Sequence, residues 1–332
     1  MIMPSRISGI ALVLLAALAA PTANAGYVET PDGQAFVDEM VRQHGFDRSK
    51  LEIWLSGAQR QSSILEAISH PAEHTLEWAE YRRIFIKPAR IEKGKAFLRA
   101  HAETFARAEQ QLGVSRYIVA AIIGVETQYG EYAGNYRVLD ALSTLTFDYP
   151  PRSAFFRKQL GEFFLMAREQ GLDPTVLKGS YAGAMGFGQF IPSSYRDFAI
   201  DFDHDGRADI VNNPVDAIGS VANYFARHGW QAGAPVAEQV AGADYPQALF
   251  TGGLAPKLTV ADYQAAGIVP KAGVSAETRA RLMRLQAEEG QEDWLTYPNF
   301  YVITRYNHSQ LYAMAVLALS QALAQTPDKA RG

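Results

Sequence analysis

The chain has 332 residues, with 31 Lys and Arg against 35 Asp and Glu, and hydrophobic residues make up 48% of it. These values predict a folded protein and exclude intrinsic disorder as its main state. A formal net charge of −4 argues against nucleic acid as a partner, because binding to phosphates needs positive charge. The chain has no cysteine, which excludes disulfides, thiolate catalysis and cysteine-ligated metals.

Residues 1–25 have the pattern of an export signal. Arg6 precedes an apolar run over residues 10–20, and Ala23-Asn24-Ala25 matches the small-residue pattern of a cleavage site. As a helix the apolar run would span about 16 Å, against a hydrocarbon core of about 30 Å. The sequence therefore predicts a signal peptide over 1–25 and a mature chain in the periplasm without a membrane anchor. A short anchor and a buried helix are the alternatives.

Helical periodicity predominates from Gln34 to Ala322. Apolar residues recur at helical spacing over 96–112 and over 153–171, where Gly171 provides a natural end. Another helix is predicted from the cap residue Asn213 and the first-turn Pro214 to a point near Gly229. A last helix is predicted from about His308 to Leu323.

The stretch over residues 231–300 is different. It has many Gly and Pro residues and only short apolar runs, such as LTV and YVIT. This composition predicts a small irregular or β-containing lobe.

Several common catalytic motifs are missing from the sequence. Ser180 lies in GSYAG, which lacks the G-x-S-x-G spacing of a hydrolase nucleophile. The sequence has no H-E-x-x-H, and the glycines at 183, 186 and 188 do not form G-x-G-x-x-G. Serine hydrolase, zinc protease and dinucleotide-binding functions are therefore unsupported.

One carboxylate stands out by its position. Residues 116–125 read RYIVAAIIGV, which predicts a helix buried on nearly all sides, and Glu126 follows directly. Loss of solvation at such a site would raise the pKa of the carboxyl group. A carboxylic acid that keeps its proton near neutral pH can protonate a glycosidic oxygen. The alternative is a Glu at a helix end that turns outward to water.

Two stretches rich in glycine and aromatic residues could bind sugar. Tyr129, Tyr132 and Tyr136 follow the acid closely, and tyrosine rings can pack against the apolar face of a sugar. Residues 183–195 read GAMGFGQFIPSSY, in which small residues allow the backbone to approach a ligand. The alternatives are a loop that packs on the core and a tight connection between helices.

Four segments taken together resemble the lytic murein transglycosylase B family: ETQYGEYAGNY, GSYAGAMGFGQFIPSSY, NPVDAIGSVANYFARHGW and ITRYNHSQLYAMAV. The resemblance covers most of the mature chain in order. It implies a mainly α (α+β) protein with a lysozyme-like helical core, an additional helical domain and a small β/irregular lobe. It also implies cleavage of the MurNAc–GlcNAc β-1,4 bond of peptidoglycan glycan strands, and other cell-wall enzymes as further candidate partners.

The sequence and the resemblance together predict five regions. They are a signal peptide over 1–25, an N-terminal helical region over 26–112, a lysozyme-like core over 113–230 with a calcium loop over 201–216, the small lobe over 231–300, and a C-terminal helix over 301–325 that returns to the helical body.

The resemblance also implies roles for individual residues. Glu126 matches the single acid/base, and Ser180 matches the residue that orients it. Arg152 matches a basic residue suited to lactyl or peptide carboxylates. The full set of implied substrate-binding residues is Tyr81, Arg152, Ser180, Gln189, Tyr224, Tyr306, Asn307 and Tyr312.

One carboxylate is sufficient if the substrate supplies the rest of the chemistry. Ordinary glycosidases use two carboxylates. In the implied reaction the N-acetyl carbonyl of MurNAc stabilises C1, and the C6 hydroxyl closes onto it to give a 1,6-anhydro end. Glu131, Asp140 and Asp148 remain available as second carboxylates, so a muramidase of the same fold stays an alternative. A non-catalytic peptidoglycan-binding protein is a third possibility.

An acidic loop resembles the opening of an EF-hand. Asp201, Asp203, Asp205 and Asp209 occupy loop positions 1, 3, 5 and 9, with Gly206 at position 6. Arg207, at position 7, would contribute its backbone carbonyl. Asn212 replaces the usual Glu at position 12, and the resemblance implies that Asp216 closes a longer loop instead. We therefore predict a structural Ca²⁺ held by Asp201, Asp203, Asp205, Arg207 and Asp216.

Two alternatives to the metal loop remain. The first is a bare, solvated turn. The second concerns Asp216, which lies three residues into the helix capped by Asn213 and could complete a capping box.

Overall fold

The computed structural model describes residues 26–69, 76–242, 244–271 and 273–325. The predicted signal peptide lies outside these ranges. Within them, no helix combines the length and apolar character needed to cross a bilayer.

The described chain is mainly helical with a small sheet, as predicted. The helices are α1 Pro31–His44, α2 Arg48–Ser56, α3 Ser62–Ser69, α4 Trp78–Phe85, α5 Pro88–Ala100, α6 Ala102–Leu112, α7 Arg116–Thr127, α8 Val138–Phe147, α9 Ser153–Glu169, α10 Pro192–Phe198, α11 Pro214–Arg227, α12 Val260–Ala265, α13 Pro298–Tyr306 and α14 Gln310–Ala324. The strands are β1 Tyr136–Arg137, β2 Lys178–Gly179, β3 Ala237–Val240, β4 Leu258–Thr259, β5 Arg279–Ala287 and β6 Gly290–Thr296.

Helix α7 is the centre of the main hydrophobic core. Every residue from Ile118 to Gly124 is buried, which confirms the prediction made from its apolar sequence. Helices α5 and α14 pack along it, and α14 is itself buried over most of its length. The polar end of α7 therefore emerges from the interior beside the first turn of α14.

A four-stranded antiparallel sheet in the order β3-β6-β5-β4 forms most of the small lobe. Strand β5 alternates in the expected way for a strand buried on both faces. Met283 and Leu285 belong to the main core, whereas Ala280 and Leu282 belong to a second, smaller core inside the lobe. The sheet is thus attached to the helical body through one face of β5.

Two local predictions were wrong. The helical pattern over 96–112 is split at His101, where φ is −118° and ψ is 30°, because α5 packs on α7 while α6 turns to pack on α11. The run YVIT, taken for a short segment of the lobe, lies inside α13. Periodicity over four residues does not separate a strand from a helix.

The short run LTV is divided between a strand and a helix. Leu258 and Thr259 form β4, but Val260 begins α12, because the Thr259 side chain and Asp262 form a capping box. The helix over 153–171 was predicted well: it ends at Glu169, followed by Gly171 at a φ of +64°.

Candidate active site

Glu126 lies in the last turn of α7 and is half-buried. The hydroxyl of Tyr312 donates a hydrogen bond to Oε1 of Glu126 at 2.5 Å. Tyr312 is in the first turn of α14, where the side chain of Ser309 caps its backbone N–H at 3.3 Å. The carboxyl group therefore does not simply extend into water, because a second buried helix fixes one of its oxygens.

Three tyrosines converge near this carboxyl group. Burial raises the pKa of Tyr312 and Tyr306 well above the ordinary phenol value, and the nearby charge of Glu126 raises both further. Tyr81 of α4, itself buried, is close enough to contribute to the shift of Tyr312. Both shifted phenols therefore keep their protons and act as hydrogen-bond donors near neutral pH.

The chain turns sharply after the acid. Gln128, Tyr129 and Gly130 have φ values of 50°, 65° and 91°, a run of left-handed backbone that is unusual outside glycine. Thr127 stabilises this turn by accepting the N–H of Gly130 at 2.9 Å. Its hydroxyl also lies 2.9 Å from the carbonyl oxygen of Phe187, which ties the end of α7 to the glycine-rich segment over 183–190.

Ser180 and Gln189 both hold the backbone around that segment. Oγ of Ser180 accepts the N–H groups of Ala184 at 3.0 Å and Ala182 at 3.3 Å. Nε2 of Gln189 donates to the carbonyl oxygens of Ala133 and Gly186, each at 3.0 Å. The hydroxyl proton of Ser180 is not used in any hydrogen bond of the described residues, so it remains available.

Tyr306 and Tyr224 form an aromatic cluster that packs against the glycine-rich segment over 183–190. The hydroxyl of Tyr306 donates to the carbonyl oxygen of Gly188 at 2.5 Å, and its ring lies 4.7 Å from that of Tyr224. Tyr224 donates to the carbonyl oxygen of Arg305 at 2.6 Å, and burial raises its pKa to about 12. The side chain of Asn307 is half-buried and makes no hydrogen bond within the described ranges.

Each of the other carboxylates considered from sequence has a partner of its own. The pairs are Glu131 with Lys93, Asp140 with Arg137, and Asp148 with Tyr27 and Arg60. Asp140 is buried and also accepts the N–H of Gln59 at 2.8 Å, which indicates a structural role. Of the four carboxylates, Glu126 is the one that accepts a hydrogen bond from Tyr312.

The acidic loop brings together Asp201, Asp203 and Asp216, each with one carboxylate oxygen within 4.8 Å of the others. Asp216 is fully buried and accepts the N–H groups of Phe202 at 2.7 Å and Asp209 at 2.8 Å. Burial raises its pKa, so a nearby cation would favour its charged form.

Two other features considered for the acidic loop are Asp205 as a metal ligand and a capping box at Asp216. The carboxylate of Asp205 lies outside this group of three and accepts the N–H of Arg207 at 2.9 Å. The capping box considered for Asp216 does not form, since Asn213 caps α11 through the N–H of Val215 at 2.9 Å.

Comparison with known proteins gives the family. Residues 29–321 match the transglycosylase SLT domain. The chain belongs to that family. The membrane-bound lytic murein transglycosylase B of Escherichia coli K12 is 44% identical over 307 residues, which is 90% of this chain and 84% of that relative.

Solved structures of lytic transglycosylases share the fold. The soluble lytic transglycosylase SltB1 from Pseudomonas aeruginosa has 49% identity and a TM-score of 0.85, with 89% of this chain and 98% of that one covered. The lytic transglycosylase Slt35 from Escherichia coli, in complex with calcium, has 44% identity and a TM-score of 0.83, with 90% and 95% covered. The protein is a peptidoglycan lytic transglycosylase with a lysozyme-like fold.

Arg152, which the resemblance implies as a substrate contact of this lytic transglycosylase, lies directly before the first residue of α9. Arg152 is exposed, and its guanidinium lies over Phe155 and Phe156 at 4.5 and 5.2 Å. Its role toward substrate carboxylates stays a prediction.

The three tyrosines that follow the acid separate into different roles. Tyr129 is buried, with its ring against Gly94 and Gly124, where a Cβ would come within 2.6 Å of its ring atoms. Tyr132 is 64% exposed, and Tyr136 is half-buried. Packing on the core is thus correct for Tyr129, whereas Tyr132 keeps a free ring face.

Sequence reasoning missed Thr127. It was overlooked because a threonine beside an acid has no meaning of its own in a sequence. Its position directly after the acid and three residues before Gly130 was the available signal.

Proposed function

We propose that Glu126 is the single acid/base of a reaction that cleaves the MurNAc–GlcNAc β-1,4 bond and leaves a 1,6-anhydroMurNAc end. The observation that carries this proposal is the hydrogen bond from Tyr312 to a half-buried carboxyl group at the end of a buried helix. The pairing of Glu131, Asp140 and Asp148 elsewhere supports a mechanism with one carboxylate.

In the first step Glu126 donates its proton to the glycosidic oxygen while the bond from that oxygen to C1 breaks. The carbonyl of the MurNAc N-acetyl group stabilises the positive charge at C1. In the second step the carboxylate of Glu126 takes the proton of the C6 hydroxyl, and O6 forms a bond to C1. No water is consumed, because a nucleophile on the same ring has a large effective molarity.

We propose that the remaining residues implied by the resemblance bind the substrate, some by direct contact and some by shaping the site. Tyr132 is absent from that set, yet its exposed ring is available to a sugar. Tyr224 and Tyr306 already use their hydroxyls on backbone carbonyls, so we propose that they shape the surface beside Glu126 on which the substrate lies. The side chain of Asn307 and the hydroxyl proton of Ser180 remain available for direct hydrogen bonds.

Changing Tyr312 to Phe is expected to lower kcat by about tenfold with little change in KM, because the hydrogen bond that positions the catalytic carboxyl group is lost. The measurement is the rate of anhydromuropeptide release from purified sacculi. Tyr263→Phe is the matched control, since Tyr263 is a buried tyrosine of the small lobe that also uses its hydroxyl in hydrogen bonds. Equal losses of kcat in the two variants would remove the assigned role of Tyr312.

We also propose that the acidic loop holds a structural Ca²⁺ through Asp201, Asp203 and Asp216, with Asp205 and the carbonyl of Arg207 as further candidate ligands. Three carboxylates in close reach repel one another without a cation, and hard oxygen ligands suit Ca²⁺. The loop lies between the glycine-rich segment and α11, so the ion would stabilise the connection between these two elements.

Calcium at one hundred times its Kd is expected to stabilise the native state by about 2.7 kcal/mol, seen as a higher Tm. Asp203→Asn should abolish this shift. The matched control is Asp173→Asn, an exposed aspartate bound to Thr175 in another loop, which should keep the shift. An unchanged Tm together with no heat of Ca²⁺ binding in calorimetry would refute the metal site.

Export to the periplasm after removal of residues 1–25 is proposed from the sequence. The match to enzymes that act on peptidoglycan supports it, since that polymer lies outside the cytoplasm. The mass of the mature chain tests the cleavage after Ala25. Partners among other cell-wall enzymes remain a prediction.

A further inference from the structure

An open cavity of about 330 Å³ lies where the small lobe meets the helical body. Its lining includes Thr251, Arg281 and Met283 from the lobe, and Gln310 from the start of α14. Strand β4 pairs with β5 only at Arg279 and Ala280, so the edge of β5 beyond Ala280 is not covered by β4 and opens into this cavity.

Arg281 has an unusual environment inside this cavity. It lies on the same face of β5 as Met283 and Leu285, which pack into the main core. Its Nη2 donates to Oε1 of Gln310 at 3.1 Å, but Nε and Nη1 are buried and have no hydrogen-bond partner in the described part of the chain. No carboxylate of those residues forms an ion pair with it, and burial lowers its pKa.

Thr251, which also lines the cavity, has a buried polar atom without a hydrogen-bond partner among the residues described. Oγ1 of Thr251 is buried and has no hydrogen-bond partner within the described ranges. A buried polar group without a partner costs free energy, and an unpaired buried cation costs more. Both residues line the same cavity, and a negatively charged ligand that accepts hydrogen bonds would satisfy both groups.

The neighbouring Arg284 differs from Arg281, because a carboxylate balances its positive charge. Its guanidinium makes two hydrogen bonds to Asp293, at 2.7 and 2.8 Å, and lies 4.8 Å from the ring of Phe250. Arg284 also lines the cavity, but its charge is already neutralised. The capacity to bind an anion therefore comes from Arg281.

The cavity is close to the proposed catalytic carboxyl group. Gln310, which contacts Arg281, is the first residue of α14, and Tyr312 in the same turn donates to Glu126. A group bound at Arg281 and a sugar at Glu126 would lie on two sides of one helical turn. The positive end of the α14 dipole also favours an anion here.

We infer that this cavity binds a carboxylate of the peptide attached to MurNAc, so the enzyme prefers peptide-bearing glycan strands. The inference rests on the proposed function of the Glu126 site. In a peptide-bearing strand the lactyl carboxyl group is bound in an amide, so the free carboxylates of the substrate belong to the peptide. A planar guanidinium with two unused nitrogens matches the two oxygens of a carboxylate.

The test compares two substrates: peptide-bearing strands released from sacculi, and the same strands after an amidase has removed the peptides. Arg281→Gln is expected to lower kcat/KM by about tenfold or more on the first, because a hydrogen-bonded charge pair is lost. The expected kcat/KM on the second is unchanged. Arg281→Lys should retain part of the preference, and Thr251→Val should lower kcat/KM by a few-fold on peptide-bearing strands alone.

Arg279→Gln is the matched control, because Arg279 is an exposed arginine two residues earlier on the same strand and should leave both rates unchanged. A third substrate, in which the peptide carboxylates are converted to amides, should be processed by the wild-type enzyme at the rate of the Arg281→Gln variant. Circular dichroism and Tm establish that each variant is folded.

Two outcomes would overturn the inference. Equal effects of Arg281→Gln on both substrates would show a structural role for the residue. A loss confined to amidase-treated strands, whose lactyl group is a free carboxylate, would assign the cation to the sugar. Failure of the proposed function is distinct, because the wild-type enzyme would then release no anhydro products from either substrate.

Discussion

Replacing Glu126 with Gln is expected to lower kcat for the release of 1,6-anhydromuropeptides by about 10³-fold, while the protein stays folded. General acid–base catalysis contributes about 10²–10⁴-fold, and here one group serves both proton transfers. Glutamine keeps the size of the side chain and can still accept the hydrogen bond of Tyr312, so the change removes mainly the proton. Mass spectrometry of digested sacculi measures the products.

The control for that variant is Glu131→Gln, five residues further along the chain. Glu131 is exposed and paired with Lys93, and surface ion pairs contribute about 0–1 kcal/mol. We expect unchanged kcat and an unchanged Tm. If Glu131→Gln abolished activity while Glu126→Gln retained it, the assignment of the acid would be wrong.

The second large effect is expected for stability, from Gly134→Ala. Gly134 has a φ of +97°, and a Cβ there would lie 2.1 Å from the carbonyl carbon and oxygen of Gly179. The left-handed backbone costs a non-glycine residue about 1–2 kcal/mol, and forced overlap in a packed site costs about 1–3 kcal/mol more. The free energy of unfolding should therefore fall by about 4 kcal/mol, measured by urea denaturation.

Gly273→Ala separates these two costs. Gly273 has the same φ of +97°, but a Cβ there would meet nothing within 4 Å. The expected loss is only the backbone cost of about 1–2 kcal/mol. Equal losses at the two positions would mean that the contact with Gly179 is relieved by local movement. Gly134 is next to Ala133, whose carbonyl oxygen accepts a hydrogen bond from Gln189. Gly134→Ala therefore also tests whether this hydrogen bond holds the glycine-rich segment in place.

The parts of the fold that were predicted correctly have strong local signals. The apolar run over 118–125 directly before Glu126 predicts a buried helix, and cap residues set the start of α11 at Pro214. The errors lie where two structures share one local pattern. His101 interrupts a regular helical period because α5 and α6 pack on different partners, and YVIT has the composition of a strand but occupies a helix.

Some residues of the candidate site could also be recognised from the local sequence, whereas others could not. The pattern of residues pointed to Glu126 directly, since burial of the preceding helix follows from composition. Residues such as Tyr81 and Tyr306 came only from the family resemblance, because nothing in their neighbouring sequence marks them. Arg281 could not be found in this way, since an arginine in a strand is ordinary until its surroundings are known.

The sequence by itself determined that this protein is mainly helical, that one acid ends a buried helix, and that an acidic loop precedes α11. These features depend on periods and spacings within a single element. The tertiary structure alone decided that Tyr312, 186 residues away, donates to Glu126, that Tyr129 is buried while Tyr132 is exposed, and that Arg281 has no carboxylate beside it in the described chain. Contacts between distant elements depend on how the helices and the sheet pack, and no local pattern encodes that packing.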